Sequence, residues 1–238
     1  EDILLIPGVV PGFNLACHAM VGSDEEVLIQ TPVYTPILNA AKNTQVQKQE
    51  AALTHMPDGS YALDMETFES SITQKTKLFI LCNPHNPVGK VFSRSELEQM
   101  ANSFLRRGVA ICSDEIHSDL VFQGSQHIPI ASLDPEIAQN CITLIAPSKT
   151  FNIAGLQCSI AIIQNQELKR KFNGARQGLL PWVNLMGLTA AGAAYLYGDE
   201  WLRQVMVYLQ ANRDFLVKYV NTQLPGVKVW SPQGTYLA

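Results

Sequence analysis

Leu78 to His117 reads LFILCNPHNPVGKVFSRSELEQMANSFLRRGVAICSDEIH. Two short, nearly unbroken apolar runs stand at its ends, Leu78–Cys82 and Val109–Ser113, of the kind found in strands covered on both faces. Between them a helix is expected from about Arg94 to Arg107. Ser93 and Glu96 have capping-box spacing at its start, and Gly108 stands where a helix C-terminus wants a left-handed residue. A helix joining two buried strands is a βαβ unit, which implies parallel pairing. Working outward, Ile3–Ile6, Val27–Gln30, Ile142–Ile145 and Ser159–Ile163 are runs of the same type. The fold class is therefore α/β, a mostly parallel sheet flanked by helices. Beyond Gln166 the chain turns helical, with segments Gln166–Arg176, Leu185–Tyr197 and about Glu200 to Gln223 before Pro225-Gly226. The expected organisation is a large domain over residues 1–198, a long connecting helix over 199–225, and the start of a smaller C-terminal α+β domain over 226–238.

Composition narrows the function classes. Apolar residues make up 47% of the 238 residues and charged residues 16%, which suits a sizeable core and excludes a disordered chain. Seventeen Lys and Arg against 21 Asp and Glu give a net charge of −4, with no basic arm, so nucleic acid is not an expected partner. The most apolar late stretch, Leu188 to Tyr197, is short and diluted by Thr189 and Gly192, so no membrane span is expected. Cys17, Cys82, Cys112, Cys141 and Cys158 form no C-x-x-C pair. Reduced core cysteines in a cytoplasmic protein explain them better than a disulfide framework or a zinc site. No basic-plus-apolar leader occurs, which gives secretion no support. The chain begins without Met in an apolar run and stops at Gly234-Thr235-Tyr236-Leu237-Ala238, which reads as the start of a strand. A piece of a longer protein is expected.

Open parallel sheets bind ligands beyond the carboxyl ends of their strands. Leu78–Cys82 is followed by Asn83-Pro84-His85-Asn86-Pro87-Val88-Gly89, Val109–Ser113 by Asp114-Glu115-Ile116-His117, and Ile142–Ile145 by Ala146-Pro147-Ser148-Lys149-Thr150-Phe151-Asn152. Any one of these could be a solvated turn. Three in succession deliver an amide, a carboxylate, an imidazole and a lysine to one rim.

The order N-P-H-N-P-x-G, D-E-x-H, S-K-T-F-N-I-A-G resembles the fold-type-I pyridoxal-phosphate enzymes, the class I/II aminotransferase family. The wording A-P-S-K-T-F-N-I-A-G-L with D-E-I-H-S-D-L is most similar to their cystathionine β-lyase/C–S lyase subgroup, the MalY/PatB type. The resemblance runs from Gly8 to the Gly234 region. It implies pyridoxal 5′-phosphate as cofactor, bound covalently through Lys149, whose neutral amine then removes the substrate Cα proton. Asp114 would face the pyridine nitrogen and keep it protonated, although Asp at such a place also caps helices. Asn86, held between Pro84 and Pro87, would donate to the ring 3-oxygen. His117 would lie near the same oxygen, with a histidine merely satisfied beside the core as the competing reading. Tyr34, after Val27–Gln30, would stack on the ring, worth about 0.5–1.5 kcal/mol beyond area burial. Backbone N–H groups of Val9 and Val10, at a helix start, would hold the phosphate, with Ser148 adding a hydroxyl.

The sequence departs from the family at Gln157, where many aminotransferases carry an Arg eight residues after the lysine. That change favours the lyase subgroup. No G-x-G-x-x-G, G-x-x-x-x-G-K-[ST] or H-E-x-x-H occurs, and the five His are too dispersed for a metal site. The implied activity is β-elimination from a sulfur amino acid, giving a thiol, pyruvate and ammonia. The alternatives are an aminotransferase and, from another class, a pyridoxal-phosphate-binding regulatory or sensor module. Relatives form homodimers and hold the substrate carboxylate with an Arg in a later domain. A homodimer is therefore expected, as is an inactive 238-residue piece in isolation.

Overall fold

The computed structural model describes residues 2–238. The strands are β1 (Ile3–Ile6), β2 (Glu26–Thr31), β3 (Gln47–Ala52), β4 (Thr54–His55), β5 (Tyr61–Ala62), β6 (Thr76–Cys82), β7 (Ala110–Asp114), β8 (Cys141–Ile145) and β9 (Ser159–Ile162). Seven of them form one sheet in the order β1-β9-β8-β7-β6-β2-β3, while β4 and β5 pair as a small separate hairpin. The ladders β3–β2, β2–β6, β6–β7 and β7–β8 are parallel; β8–β9 and β9–β1 are antiparallel. Two reversals restore direction, so β1 runs with β8, and β9 alone opposes the other six. Six carboxyl ends therefore lie on one rim.

The connection between β6 and β7 forms as its residues dictate. The helix spans Arg94–Leu105. The Ser93 hydroxyl accepts from the Glu96 N–H (3.3 Å) and the Glu96 carboxylate accepts from the Ser93 N–H (2.8 Å), a complete capping box. Gly108 has φ +63°, the left-handed conformation that lets the chain leave the helix and enter β7.

Strand alternation sorts the core into two faces. On one, Ile29, Ile80, Cys112 and Leu144 pack against Phe13 of the Val9–Met20 helix. On the other, Leu28, Phe79, Leu81 and Ile111 pack with Phe68 and Phe104. The Phe68, Phe79 and Phe104 rings lie 4.7–5.6 Å apart. Each fully buried aromatic of this kind contributes roughly 1.5–3 kcal/mol of transfer free energy.

The structure differs from the expected strands in three places. β3 was not anticipated: Gln47–Ala52 is an edge strand whose side chains are mostly solvated, so it lacks an unbroken apolar run. The β4–β5 hairpin is too short to leave a periodic signal. The strand expected after Gly226 does not form. Instead Gly234 makes an isolated bridge with Val121. The neighbouring backbone is satisfied by loops: Gln233 N–H donates to Gly89 O (2.8 Å) and Thr235 N–H to Leu120 O (2.7 Å).

Ser93→Ala should lower the unfolding free energy by about 1 kcal/mol, read as a lower denaturant midpoint at unchanged slope. Adding Glu96→Ala should cost less than its separate effect, because the two form one reciprocal cap.

Candidate active site

Five of the six strands of the shared direction, all but β3, contribute to one cavity of about 180 Å³ at the carboxyl rim. β1 leads into Gly8, Val9, Val10 and Pro11; β2 into Tyr34; β6 ends at Cys82 and leads to Asn86; β7 ends at Asp114 and leads to Ile116 and His117; β8 leads to Lys149. Thus Val9, Val10, Tyr34, Asn86, Asp114, His117 and Lys149, all singled out in the sequence, converge on the cavity. Ser148 shares the helical turn Pro147–Thr150 with Lys149 but is not among the lining residues. Gln157 is exposed, in a left-handed conformation just after the 3-10 turn Ala154–Leu156, and does not line the cavity. Cys82 and Ile116 were not anticipated. The signal for Cys82 lies in register: it pairs with Asp114 across β6 and β7, so both side chains point to the same face.

Two adjacent carboxylates are separated by the end of β7. Glu115 turns to the opposite face, where its carboxylate accepts from the Ser113 hydroxyl (2.8 Å) and meets His127 Nε2 at 2.9 Å. Asp114 faces the cavity and accepts one main-chain bond, from the Ile116 N–H at 3.2 Å. Burial pushes the Asp114 carboxyl up to about 7; the Ile116 N–H opposes the shift, the Glu115 charge adds to it, and the Lys149 charge opposes it. Burial and the Lys149 charge push His117 down to about 4, which leaves the imidazole neutral at pH 7. The Lys149 amine thus lies within electrostatic reach of both groups. Among the described residues, His117 Nδ1 is buried without a hydrogen-bond partner, and its ring stands edge-on to Tyr236 at 5.6 Å.

The remaining walls are main-chain and soft. The Val9–Met20 helix has Gly8 at its N-cap and no side-chain cap, so the first-turn N–H groups of Val9 and Val10 are available to an anion. Tyr34 N–H donates to Asn86 O at 2.9 Å, tying the β2 turn to the β6 turn. Cys82 Sγ lies 3.5 Å from the Asn86 N–H. Burial, with the Asp114 charge adding, pushes the Cys82 thiol well above the usual range, so it serves as an apolar wall. The arrangement offers an anion site, a buried carboxylate, an amide, an aromatic ring and a primary amine within one cavity.

A cavity of this make-up, at the carboxyl rim of a mostly parallel α/β sheet, defines a cofactor- or metabolite-binding class rather than a macromolecular interface. The description "Aminotransferase class I and II" matches residues 1–238, and the chain belongs to that family. Over its full length it is 40% identical to cystathionine beta-lyase PatB of Bacillus subtilis (strain 168), covering 62% of that relative. Cystalysin of Treponema denticola, solved with a pyridoxal 5′-phosphate cofactor, superposes with a TM-score of 0.95 at 33% identity, over 99% of this chain and 60% of that one. The pyridoxal-phosphate-bound C–S lyase of Staphylococcus hominis gives 0.92 at 33% identity, over 99% and 59%. The chain spans about three-fifths of the length of the curated relatives it matches.

The Asp114 carboxyl has a direct consequence for stability. Its folded value, about 7, lies above the ordinary 3.8, so the folded state binds this proton more tightly. Stability from this group is fully present below about pH 4 and is lost as pH rises toward 7. In cofactor-free protein, Asp114→Asn should therefore gain stability over wild type across that window, by up to a few kcal/mol, and hold the gain above pH 7. Denaturant midpoints measured at several pH values check this; parallel curves for the two proteins would contradict it.

Proposed function

We propose that the protein is a pyridoxal 5′-phosphate-dependent carbon–sulfur lyase that acts on cystathionine-like or cysteine-S-conjugate substrates and yields a thiol, pyruvate and ammonia. The observation that carries the reading is the convergence of Lys149, Asp114, Asn86, Tyr34 and the uncapped helix start on one cavity. The donor set suits the cofactor: helix N–H groups for a phosphate, an amine for an aldehyde, a buried carboxylate for a ring nitrogen, and the unpaired His117 Nδ1 facing no protein partner. When bound, that group supplies an electron sink for negative charge at the substrate Cα.

The chain's own residues then have separable tasks. Lys149 Nζ would hold the cofactor and would take the Cα proton. The Asp114 carboxylate would keep the pyridine nitrogen protonated; a cation placed against it would in turn favour its ionised form. Asn86 would donate from its amide to the ring 3-oxygen, with neutral His117 near it. Tyr34 would stack on the ring. The Val9 and Val10 N–H groups would bind the phosphate, with the Ser148 hydroxyl as a further donor. The same reading makes residues 1–198 the cofactor-binding domain, 199–225 the connecting helix and 226–238 the start of a small domain.

An aminotransferase would use every one of these residues, and the family description itself names aminotransferases. The lyase reading is favoured by Gln157 and by the cystathionine beta-lyases among the relatives. A homodimer is supported by large exposed apolar side chains between Trp182 and Tyr197, among them Leu185, Met186 and Leu196. A cytoplasmic location is supported by five cysteines that are all free and buried. Among the described residues, no helix is long and apolar enough to cross a membrane.

Incubating the full-length protein with cystathionine separates the readings. Pyruvate release without an added keto acid identifies the lyase, dependence on a keto acid identifies a transferase, and neither, despite a bound chromophore, identifies a sensor. Lys149→Ala should abolish the cofactor's covalent absorbance band and lower turnover by at least about 10²–10⁴-fold. Retention of both would overturn the role proposed for Lys149.

A further inference from the structure

His85 precedes Asn86 in the turn after β6 and is completely buried. Its main chain is clamped within that turn: its N–H donates to Lys90 O (2.7 Å) and its carbonyl accepts from Gly89 N–H (2.8 Å). The turn therefore does not need the imidazole in order to close. The ring reaches out of it, with Nε2 2.8 Å from the Pro32 carbonyl oxygen and Nδ1 3.1 Å from that of Cys82. Phe92 packs edge-on against it at 5.8 Å. Pro32 belongs to the neighbouring turn, the one that carries Tyr34 from β2 into the cavity.

Both contacts are to acceptors, and a neutral imidazole has only one N–H to give. Burial pushes the ring below the usual imidazole range, the two carbonyl contacts oppose this, and the Lys90 charge adds to it. The single proton belongs on the shorter contact, toward Pro32. Together with the Tyr34 N–H bond to Asn86 O (2.9 Å), it makes a two-point latch between the turns that bear Tyr34 and Asn86.

We propose that His85 is a positioning residue that fixes the Tyr34 ring against Asn86 by donating from Nε2–H to the Pro32 carbonyl. The inference rests on the cofactor reading above, because it is the stack on the cofactor that Tyr34 would be positioned to make. Glutamine can place an amide near the Nε2 position and restore the latch. Asparagine reaches only as far as Nδ1 and cannot.

The test is a cofactor titration of the full-length protein, read by absorbance and by visible circular dichroism of the bound chromophore. His85→Asn should weaken pyridoxal 5′-phosphate affinity by about tenfold at most, the scale of one aromatic stack, and change the dichroism. His85→Gln should stay within about twofold of wild type. In a Tyr34→Ala background, His85→Asn should have little further effect, since the coupling runs through Tyr34. Equal losses in both backgrounds, or Asn tolerated better than Gln, would overturn the proposal. A wild type that gives no chromophore would overturn the cofactor reading instead. The latch is then judged on unsubstituted, cofactor-free protein, by nitrogen-15 spectra of its histidines. A slowly exchanging Nε2–H on His85 supports it, and protonation at Nδ1 alone refutes it.

Discussion

The common direction of β1, β2, β6, β7 and β8 is the constraint on which the site depends. A side chain placed just beyond a parallel strand arrives at the same rim as those beyond its neighbours. β2, β6, β7 and β8 meet this condition by direct pairing, and β1 meets it through the reversed strand β9. The reversal is needed. Lys149 lies on the connection from β8 to β9, and the return of the chain along β9 leaves room for β1 beyond it. β1 then delivers an uncapped helix start to the rim that holds the lysine. Were β1 paired parallel to β9, Gly8–Pro11 would emerge at the far edge and the cavity would lack its anion wall.

Burial then decides the chemistry at that rim. Asp114 and Glu115 are neighbours of the same charge, yet one is pushed up to about 7 while the other is bonded to Ser113 and His127. Strand geometry does the sorting, since successive side chains leave opposite faces. The cavity keeps the carboxylate that lacks a side-chain partner, and an unsatisfied buried charge is what a cationic ligand atom would relieve. His117 shows the converse: burial beside Lys149 holds the imidazole neutral, so its unpaired nitrogen can act as a hydrogen-bonding group without bringing a competing positive charge.

The legible part of the sequence was the part in which one local signal suffices. Ile3–Ile6, Gln166–Arg176 and Leu185–Tyr197 form over the expected residues, and the Ser93–Glu96 cap forms as its spacing implies. β3 escaped because a solvated edge strand carries no apolar run, and the segment after Gly226 misled because strand-like residues need a ladder to join. At the site, Asn86, Asp114, His117 and Lys149 follow from motif order and line the cavity, Tyr34, Val9 and Val10 entered through the family resemblance, and Ser148 does not line it. Cys82 and Ile116 were not readable, because wall residues are chosen by shape and register and look like any core residue in sequence. The direction of β1 was also unreadable, as it follows from an antiparallel pairing that no local pattern announces.

Part of the cavity wall, at Tyr34, Asn86, Ile116 and His117, is loop, and loops ordinarily lack the rigidity that a binding arrangement requires. Here the sheet's own hydrogen bonding continues past the strand ends. Asn83 N–H donates to Asp114 O at 3.0 Å, Glu115 N–H to Leu144 O at 2.9 Å, and Leu53 N–H to Thr31 O at 2.7 Å. The turn bearing Asn86 is thereby tied to the residue bearing the buried carboxylate, and that residue's neighbour to the strand that leads to Lys149. Tyr34 is joined to the same network through Asn86 O. The main chain around Tyr34, Asn86 and Asp114 is thus held by bonds of the kind that define a sheet. That preorganisation is what allows a polar cavity to stabilise developing charge without reorganising when the charge appears.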